Sequence, residues 1–566
     1  MIYHQVVVVG GGLAGLRAAI QAVETQLDVA VISRVHPVRS HSVAAQGGIN
    51  AALGNAPEGA DDSPEKHAFD TIKGSDYLAD QDAVEIMTRE APERVIEMEH
   101  WGCPFSRTDE GRIAQRPFGG AGYPRTCYAS DKTGHALLHT VYQQCLKQDV
   151  KVYEEWSVVR LVIEDGECLG VIALNLVTGE LEAFQAEAVI FGTGGAGRVY
   201  NNSSNNIINT GSGMAIAYKA GIPLKDLEFV QFHPTTLATN NVLVTEGARG
   251  EGGYLVNNKG ERFMKRYAPN AMELGPRDIV ARSIQTEINE GRGFEGRYVH
   301  LDLRHLGRER ILERLPAIRD IAISFAGVDP ISEPIPVQPG QHYFMGGIDC
   351  NSDGETRATG FFAAGECACV SVHGANRLGG NSLLETIVFG KRAGDKAAAY
   401  VKGKEKTRAG GKALAAALRE TEAEIDQLLG ADGEENPADL RDEMRRVMFE
   451  KVGLFREEKQ MKEALEKIRE LKDRAKRIRI SYKGRRYNLD LACSLELEGM
   501  LLMAEVICCG AIERKESRGS HYRVDYRERD DENWLKHTLA YYTPDGPRLD
   551  FKEVTITKYE PQARRY

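Results

Sequence analysis

QVVVVGGGLAGLRAAIQAVETQLDVAVIS, residues 5–33, runs from four consecutive valines through a glycine turn into a helix-like stretch and a second apolar run. A β-branched run bounded by glycines reads as a buried strand, and VAVIS at 29–33 reads as its neighbour, so the segment is one βαβ unit. Gly10, Gly12 and Gly15 fit GxGxxG in the strand–turn–helix setting that a dinucleotide site requires. The pyrophosphate rests on the N-terminus of the helix, and the glycines let the backbone approach it closely. An NAD or FAD site usually offers a carboxylate to the ribose about 20 residues past the glycines. Here Ser33 and Arg34 occupy that place, a pair that could also cradle the 2′-phosphate of NADP.

Working outward, a second GxGxxG stands at 192–197 (GTGGAG) after the strand-like AEAVIF. The stretch that follows, RVYNNSSNNIINTGSG, is polar and lacks the apolar period of a crossover helix. We read it as a strand returning to the edge of the first nucleotide, not as a second nucleotide site. Between 234 and 340 the composition changes to strand-like pieces, loops and a helical segment near 277–290; strand and turn signals resume at 348–366. Residues 401–480 carry Glu, Lys, Arg, Ala and Leu at helical spacing, and 510–566 is mixed and rich in short strand-like pieces. The expected organisation is therefore α/β. A Rossmann-like nucleotide-binding domain (1–233 and 341–400) is split by an inserted α+β capping domain (234–340). A helical domain (401–509) and a small C-terminal domain (510–566) follow.

A chain of 566 residues exceeds what one core supports. Hydrophobic and charged contents of 42% and 27% are ordinary for a globular protein. The formal charge of −10 argues against nucleic acid as a partner, although a few local arginines can still make a cleft receptive to anions. The N-terminus shows no secretory signal pattern, and no charge-free apolar run reaches the roughly 18 residues of a membrane span. Ten cysteines are scattered without CxxC or cluster spacing, so no metal site is expected in this chain.

Four polar clusters stand apart from the nucleotide loop: FHPT (232–235), TEGARGEGG (245–253), ELGPRD (273–278), and QHYFMGG (341–347) with GANRLGGNSLLET (374–386). Each sets a histidine or arginine beside glycine or proline. Glycine permits close approach of backbone and ligand, and arginine presents a planar fork to carboxylates. Singly, His233, His342, Arg249 and Arg377 each fit a core residue or a structural ion pair. Jointly, two histidines and three arginines from distant segments suit a small dianion.

These motifs, with RSHSVAAQGGI at 39–49, AAGEC at 363–367 and the tail ESRGSHYRVDYRERDDENWLKHTL at 516–539, resemble the flavoprotein subunits of succinate dehydrogenase and fumarate reductase. The resemblance covers essentially the whole chain in family order. It implies FAD, bonded covalently through the ring of His41. It further implies FAD contacts at Gly10, Gly11, Gly12, Leu13, Ala14 and Gly15, at Ser33 and Arg34, and at Ser40, Ser42, Gln46, Gly47 and Gly48. Later contacts fall at Thr193, Gly194, Gly195, Ser212, Glu366, Asn381, Ser382 and Leu383. With Ser33 at the FAD ribose, the NADP reading lapses. The resemblance places the dicarboxylate on His233, Thr245, His342 and Arg377, with hydride exchange at the flavin. It gives Arg277 the proton transfer, with Glu246 and Arg249 relaying to solvent. An arginine acid–base is unusual because guanidinium holds its proton to high pH; a strongly basic carbanion and a nearby carboxylate make it workable.

The same resemblance implies three partners: an iron–sulfur subunit, one or more membrane anchors with quinone and with or without haem, and succinate or fumarate as substrate. The location implied is peripheral, on the cytoplasmic face of the cell membrane. Two departures stand out: Ser212 in TGSG where members often carry aspartate, and Ala248 where many carry cysteine. The rival readings are L-aspartate oxidase or a soluble fumarate reductase, both with noncovalent FAD, and from another class a flavin-binding scaffold without turnover. His41 within RSH, the matching tail and the full polar set speak against them.

Overall fold

The computed structural model describes residues 1–404 and 410–564. The opening strand β1 (Ile2–Val9), helix α1 (Leu13–Val23) and strand β2 (Val29–Ser33) form the βαβ unit, with Val7 paired in parallel to Ala30. Val6, Val7 and Val8 are fully buried, as a continuous β-branched run inside a parallel sheet should be. On its other side β1 pairs in parallel with the strand Leu181–Phe191 (Val7 opposite Val189). The strand Phe361–Ala363 adds to that same strand, so a late segment of the chain completes the first sheet.

The helix Asn381–Gly403 packs on α1 through small residues. A Cβ on Gly394 would stand 2.5 Å from the Ala18 carbonyl oxygen, and one on Gly390 2.7 Å from that of Ala14. That closeness couples the N-terminal βαβ unit to a helix from late in the chain. The second glycine motif follows Leu181–Phe191 and lies against the first: a Cβ on Gly10 would meet the Gly192 carbonyl oxygen at 2.2 Å. A short helix, Ser212–Lys219, comes only after an irregular passage.

A separate four-stranded antiparallel sheet is ordered Val230–Leu237, Ile335–Phe344, Val299–Asp302, Tyr254–Val256. Its own core includes Leu237, Leu255, Val280, Ile284, Leu301 and Val337. The first two strands enter and leave this unit, so residues on them stand where it meets the nucleotide domain. Helices Gly411–Gly430, Pro437–Lys451, Glu458–Arg474 and Leu489–Glu513 build the helical region. The last of these is apolar on nearly every face, and among the described residues no helix is long and apolar enough to cross a membrane.

Beyond it the tail holds two strands, Lys536–Tyr541 and Arg548–Glu553, fewer than its composition suggested. Buried arginines tie these elements together by taking up carbonyls at their ends. Arg514 donates to the carbonyls of Trp534 and Lys536 and pairs with Glu228 at 2.9 Å; Arg523 donates to those of Ala511 and Ile512.

Candidate active site and nucleotide cleft

One cleft runs from the glycine turn to the second sheet. Gly10 takes φ +114°, a conformation that favours glycine, and a Cβ on Gly15 would collide with the Gly10 carbonyl oxygen at 2.0 Å. Gly12 instead leaves open space above the first turn of α1, its nearest neighbour the Ser42 hydroxyl at 3.4 Å from a built Cβ. Three buried polar atoms of cleft residues, Ser40 Oγ, Gln46 Oε1 and Thr193 Oγ1, have no protein partner. A glycine cradle with orphaned hydrogen-bonding groups fits an elongated polar dinucleotide.

Of the residues named from sequence, Gly10 to Ala14, Ser33, Arg34, Ser40 to Ser42, Gln46 to Gly48, Thr193, Gly194, Ser212, Glu366, Ser382 and Leu383 line this cleft. His233, Thr245, Glu246, Arg277, His342 and Arg377 line its far end. Four stand behind the wall. Gly15 packs under Gly10, and Gly195 leaves room for Glu366, which a Cβ would meet at 2.3 Å. Arg249 backs Glu246. The Asn381 side chain is turned into a buried network, accepting from Asn50 at 2.8 Å, contacting His67 Nε2 at 3.0 Å and donating to Thr71 at 3.0 Å. Arg34 lines the cleft while paired with Glu496 of the long helix, which neutralises the cation a 2′-phosphate would need.

His41 is half-buried, and its Nδ1 accepts the Asn206 N–H at 3.3 Å, leaving Nε2 as the ring nitrogen without a hydrogen-bond partner among the described residues. Burial and the nearby Arg198 lower its pKa to about 4, so the imidazole is neutral at physiological pH. Glu366 accepts from the Phe344 N–H at 3.1 Å, and burial pushes its carboxyl up to about 8.

At the far end, Glu246 and Arg277 each open a helix, Glu246–Gly250 and Arg277–Asn289, directly after their caps Thr245 and Pro276. Arg277 Nε donates to Glu246 Oε2 at 2.7 Å, and Arg249 Nη2 stands 3.9 Å from the same oxygen. Burial alone would raise the Glu246 pKa, but the charges of Arg277 and Arg249 hold it below the ordinary carboxylate range. Arg377 is 1% exposed, and among the described residues no carboxylate pairs with it. It donates to the Leu378 carbonyl at 3.3 Å and lies 4.5 Å over the Tyr343 ring. Burial, then the repulsion of Arg277, lowers its pKa to about 9. His233 and His342 face each other at 5.0 Å between ring centroids, and burial followed by the Arg277 charge keeps both well below the usual histidine range. A break in strand register after His233 re-aims that side chain. The result is a buried chamber end with fixed cations, neutral imidazoles and one ionised carboxylate, an arrangement chemically suited to a small dianion.

Sequence reading missed Phe118, Ser204 and Tyr343 on the cleft wall, and Gln231 behind it. Ser204 Oγ contacts His342 Nδ1 at 2.8 Å, and Gln231 Oε1 accepts from Arg277 Nη1 at 3.2 Å. Only the neighbouring motifs QHYFMGG and QFHPT offered a signal for Tyr343 and Gln231.

The FAD binding domain family matches residues 5–383, and the fumarate reductase flavoprotein C-terminal family matches residues 441–566. The chain is 45% identical to a fumarate reductase flavoprotein subunit of Mycobacterium tuberculosis, over 100% of this chain and 99% of that one. It is 47% identical to a succinate dehydrogenase flavoprotein subunit of Rickettsia bellii, over 100% and 98%. Among solved structures, an E. coli quinol fumarate reductase chain superposes with a TM-score of 0.95 at 42% identity, covering 99% of this chain and 98% of that one. A quinol–fumarate reductase solved with menaquinol gives 0.94 at 43%, covering 99% and 100%.

Proposed function

The chain belongs to the succinate dehydrogenase/fumarate reductase flavoprotein subunits, FAD-binding oxidoreductases, and from that membership we propose that it interconverts succinate and fumarate on FAD bonded covalently to His41. Bound FAD supplies the two-electron, hydride-carrying chemistry. The residues of this chain bind, orient and move the proton. Arg377 gives one substrate carboxylate a fork that no protein carboxylate competes for, and His233, Thr245 and His342 hold the remainder as neutral donors. Arg277 exchanges a proton with the substrate carbon, and Glu246 at 2.7 Å takes it from or returns it to the guanidinium, with Arg249 behind. The observation that carries this reading is that contact: an ionised, solvent-excluded carboxylate on the guanidinium that lines the cleft.

The same residues serve both directions because both share one transition state. We further propose that electrons pass to or from an iron–sulfur subunit, and through a membrane anchor to quinone, with this chain peripheral on the cytoplasmic face. Neighbours described with menaquinol and as quinol reductases support that reading. The test is a denaturing gel of the purified protein viewed for flavin fluorescence, with peptide mass mapping and a dye-coupled succinate and fumarate assay. Fluorescence that stays on the His41 peptide, with turnover, is the expected result. Flavin that washes away from a loaded protein refutes the covalent link, and absence of turnover refutes the chemistry.

A further inference from the structure

Three glycines from distant segments close on one carboxylate and one ring. A Cβ on Gly47 would stand 2.7 Å from Phe118 Cζ. One on Gly379 would stand 2.5 Å from Phe118 Cδ1 and 2.9 Å from Glu246 Oε2. One on Gly119 would stand 2.4 Å from Glu246 Oε1, against the roughly 3.0 Å below which a neighbour must move. The Gly119 main-chain N–H also donates to that same oxygen at 2.6 Å, just below the usual N–H···O range. Glu246 is thus held at both oxygens, Oε2 by Arg277 and Oε1 by Gly119. The loop carrying Gly119 is itself anchored, since the Gly120 N–H donates to the Leu274 carbonyl at 3.1 Å, three residues before Arg277.

We propose that Gly119 is a positioning residue for proton transfer: its N–H and its lack of a side chain together seat the Glu246 carboxylate on Arg277. The proposal rests on the reading of Glu246 as the proton acceptor of Arg277. The physical reason lies in geometry. The carboxylate is fully enclosed, so the backbone N–H is what fills the site water would otherwise take on Oε1. Any side chain at 119 would occupy the volume of that oxygen and turn Glu246 off the guanidinium. Neither effect bears on how the substrate carboxylates are gripped by Arg377 and the two histidines.

The test uses the flavin-loaded protein with Gly119→Ala, Glu246→Asp, Glu246→Gln and the double variant Gly119→Ala/Glu246→Asp. Succinate oxidation and fumarate reduction are followed from pH 5.5 to 9, with flavin content as control. Gly119→Ala is expected to lower kcat by about tenfold or more with KM within about threefold. It should also move the acid limb of succinate oxidation to higher pH, because Glu246 loses a bond that favours its ionised form. The shorter aspartate withdraws from the added methyl, so in the Glu246→Asp background the same change should cost clearly less, keeping only the part set by the Gly275 carbonyl oxygen, which the Cβ would meet at 2.9 Å. A wild-type pH profile and kcat in Gly119→Ala overturn the proposal, as does full additivity in the double variant. If Gly119→Ala fails to fold, recovery of folding in the double variant supports the clash with Glu246, and failure of both overturns it. Wild-type turnover in Glu246→Gln would instead sink the relay reading itself.

Discussion

Arg377→Met should make the protein more stable and a poorer binder at once. The guanidinium is 1% exposed, its one hydrogen bond among the described residues is 3.3 Å long, and burial together with the Arg277 charge lowers its pKa to about 9. At about 1.36 kcal/mol per pKa unit, the fall from 12.5 to about 9 sets an upper bound of about 5 kcal/mol. Losing the contact with Tyr343 takes back about 0.5–2 kcal/mol. Water in the cleft screens part of the rest, so a net gain of about 1–3 kcal/mol is expected. Because the folded pKa is depressed, this penalty is fully present below pH about 9 and fades only as pH rises through it.

The ligand reverses the balance. A dicarboxylate supplies the missing partner through two charge-assisted hydrogen bonds, and their loss should weaken binding by about 3–4 kcal/mol, or about 10²–10³-fold. The assay is differential scanning fluorimetry near neutral pH, with and without malonate, beside the malonate inhibition constant. The variant should melt above the wild type without ligand, and saturating malonate should raise the wild type far more than the variant. A variant that melts lower without ligand, or binds malonate as the wild type does, refutes the claim that Arg377 is held strained for the substrate.

Three further outcomes follow from the same geometry. With His233 and His342 kept neutral by burial and Arg277, the malonate inhibition constant, expressed per malonate dianion, should vary little between pH 5.5 and 8; a titration near 6.5 would assign substrate binding to a protonating imidazole. N-ethylmaleimide should not inactivate the protein in a fumarate-protectable way, because Ala248 places no thiol beside the relay; inactivation that fumarate prevents would refute this. His537, buried between Asp226 at 2.6 Å and Asp80 at 3.2 Å, is raised to about 9 mainly by the Asp226 charge against the penalty of burial. Its raised folded pKa means the stabilisation is complete below about 6.5 and lost as pH climbs through about 9. His537→Gln should therefore destabilise at pH 6 and lose most of that deficit above pH 9.5, as read by melting temperature.

Sequence alone determined what is local. Four valines, a glycine turn and a helix specify a βαβ unit because strand burial, the left-handed turn at Gly10 and the close packing of Gly15 are decided within 15 residues. Motif order then reached residues that line the one cleft, from His41 to Arg377. Tertiary structure decided what those side chains do there. Nothing near Arg34 in the chain announces Glu496, which turns a candidate phosphate ligand into half of an ion pair. Asn381 lies inside a cleft motif, yet its amide is spent on His67, Asn50 and Thr71. The sequence reading did not single out Gly119 or Gly379; only packing sets a carboxylate within 3 Å of the Cβ each lacks. The reason is physical: spacing along the chain encodes dihedral preference and periodic burial, whereas ionisation, orphaned donors and excluded volume belong to neighbours brought together across hundreds of residues.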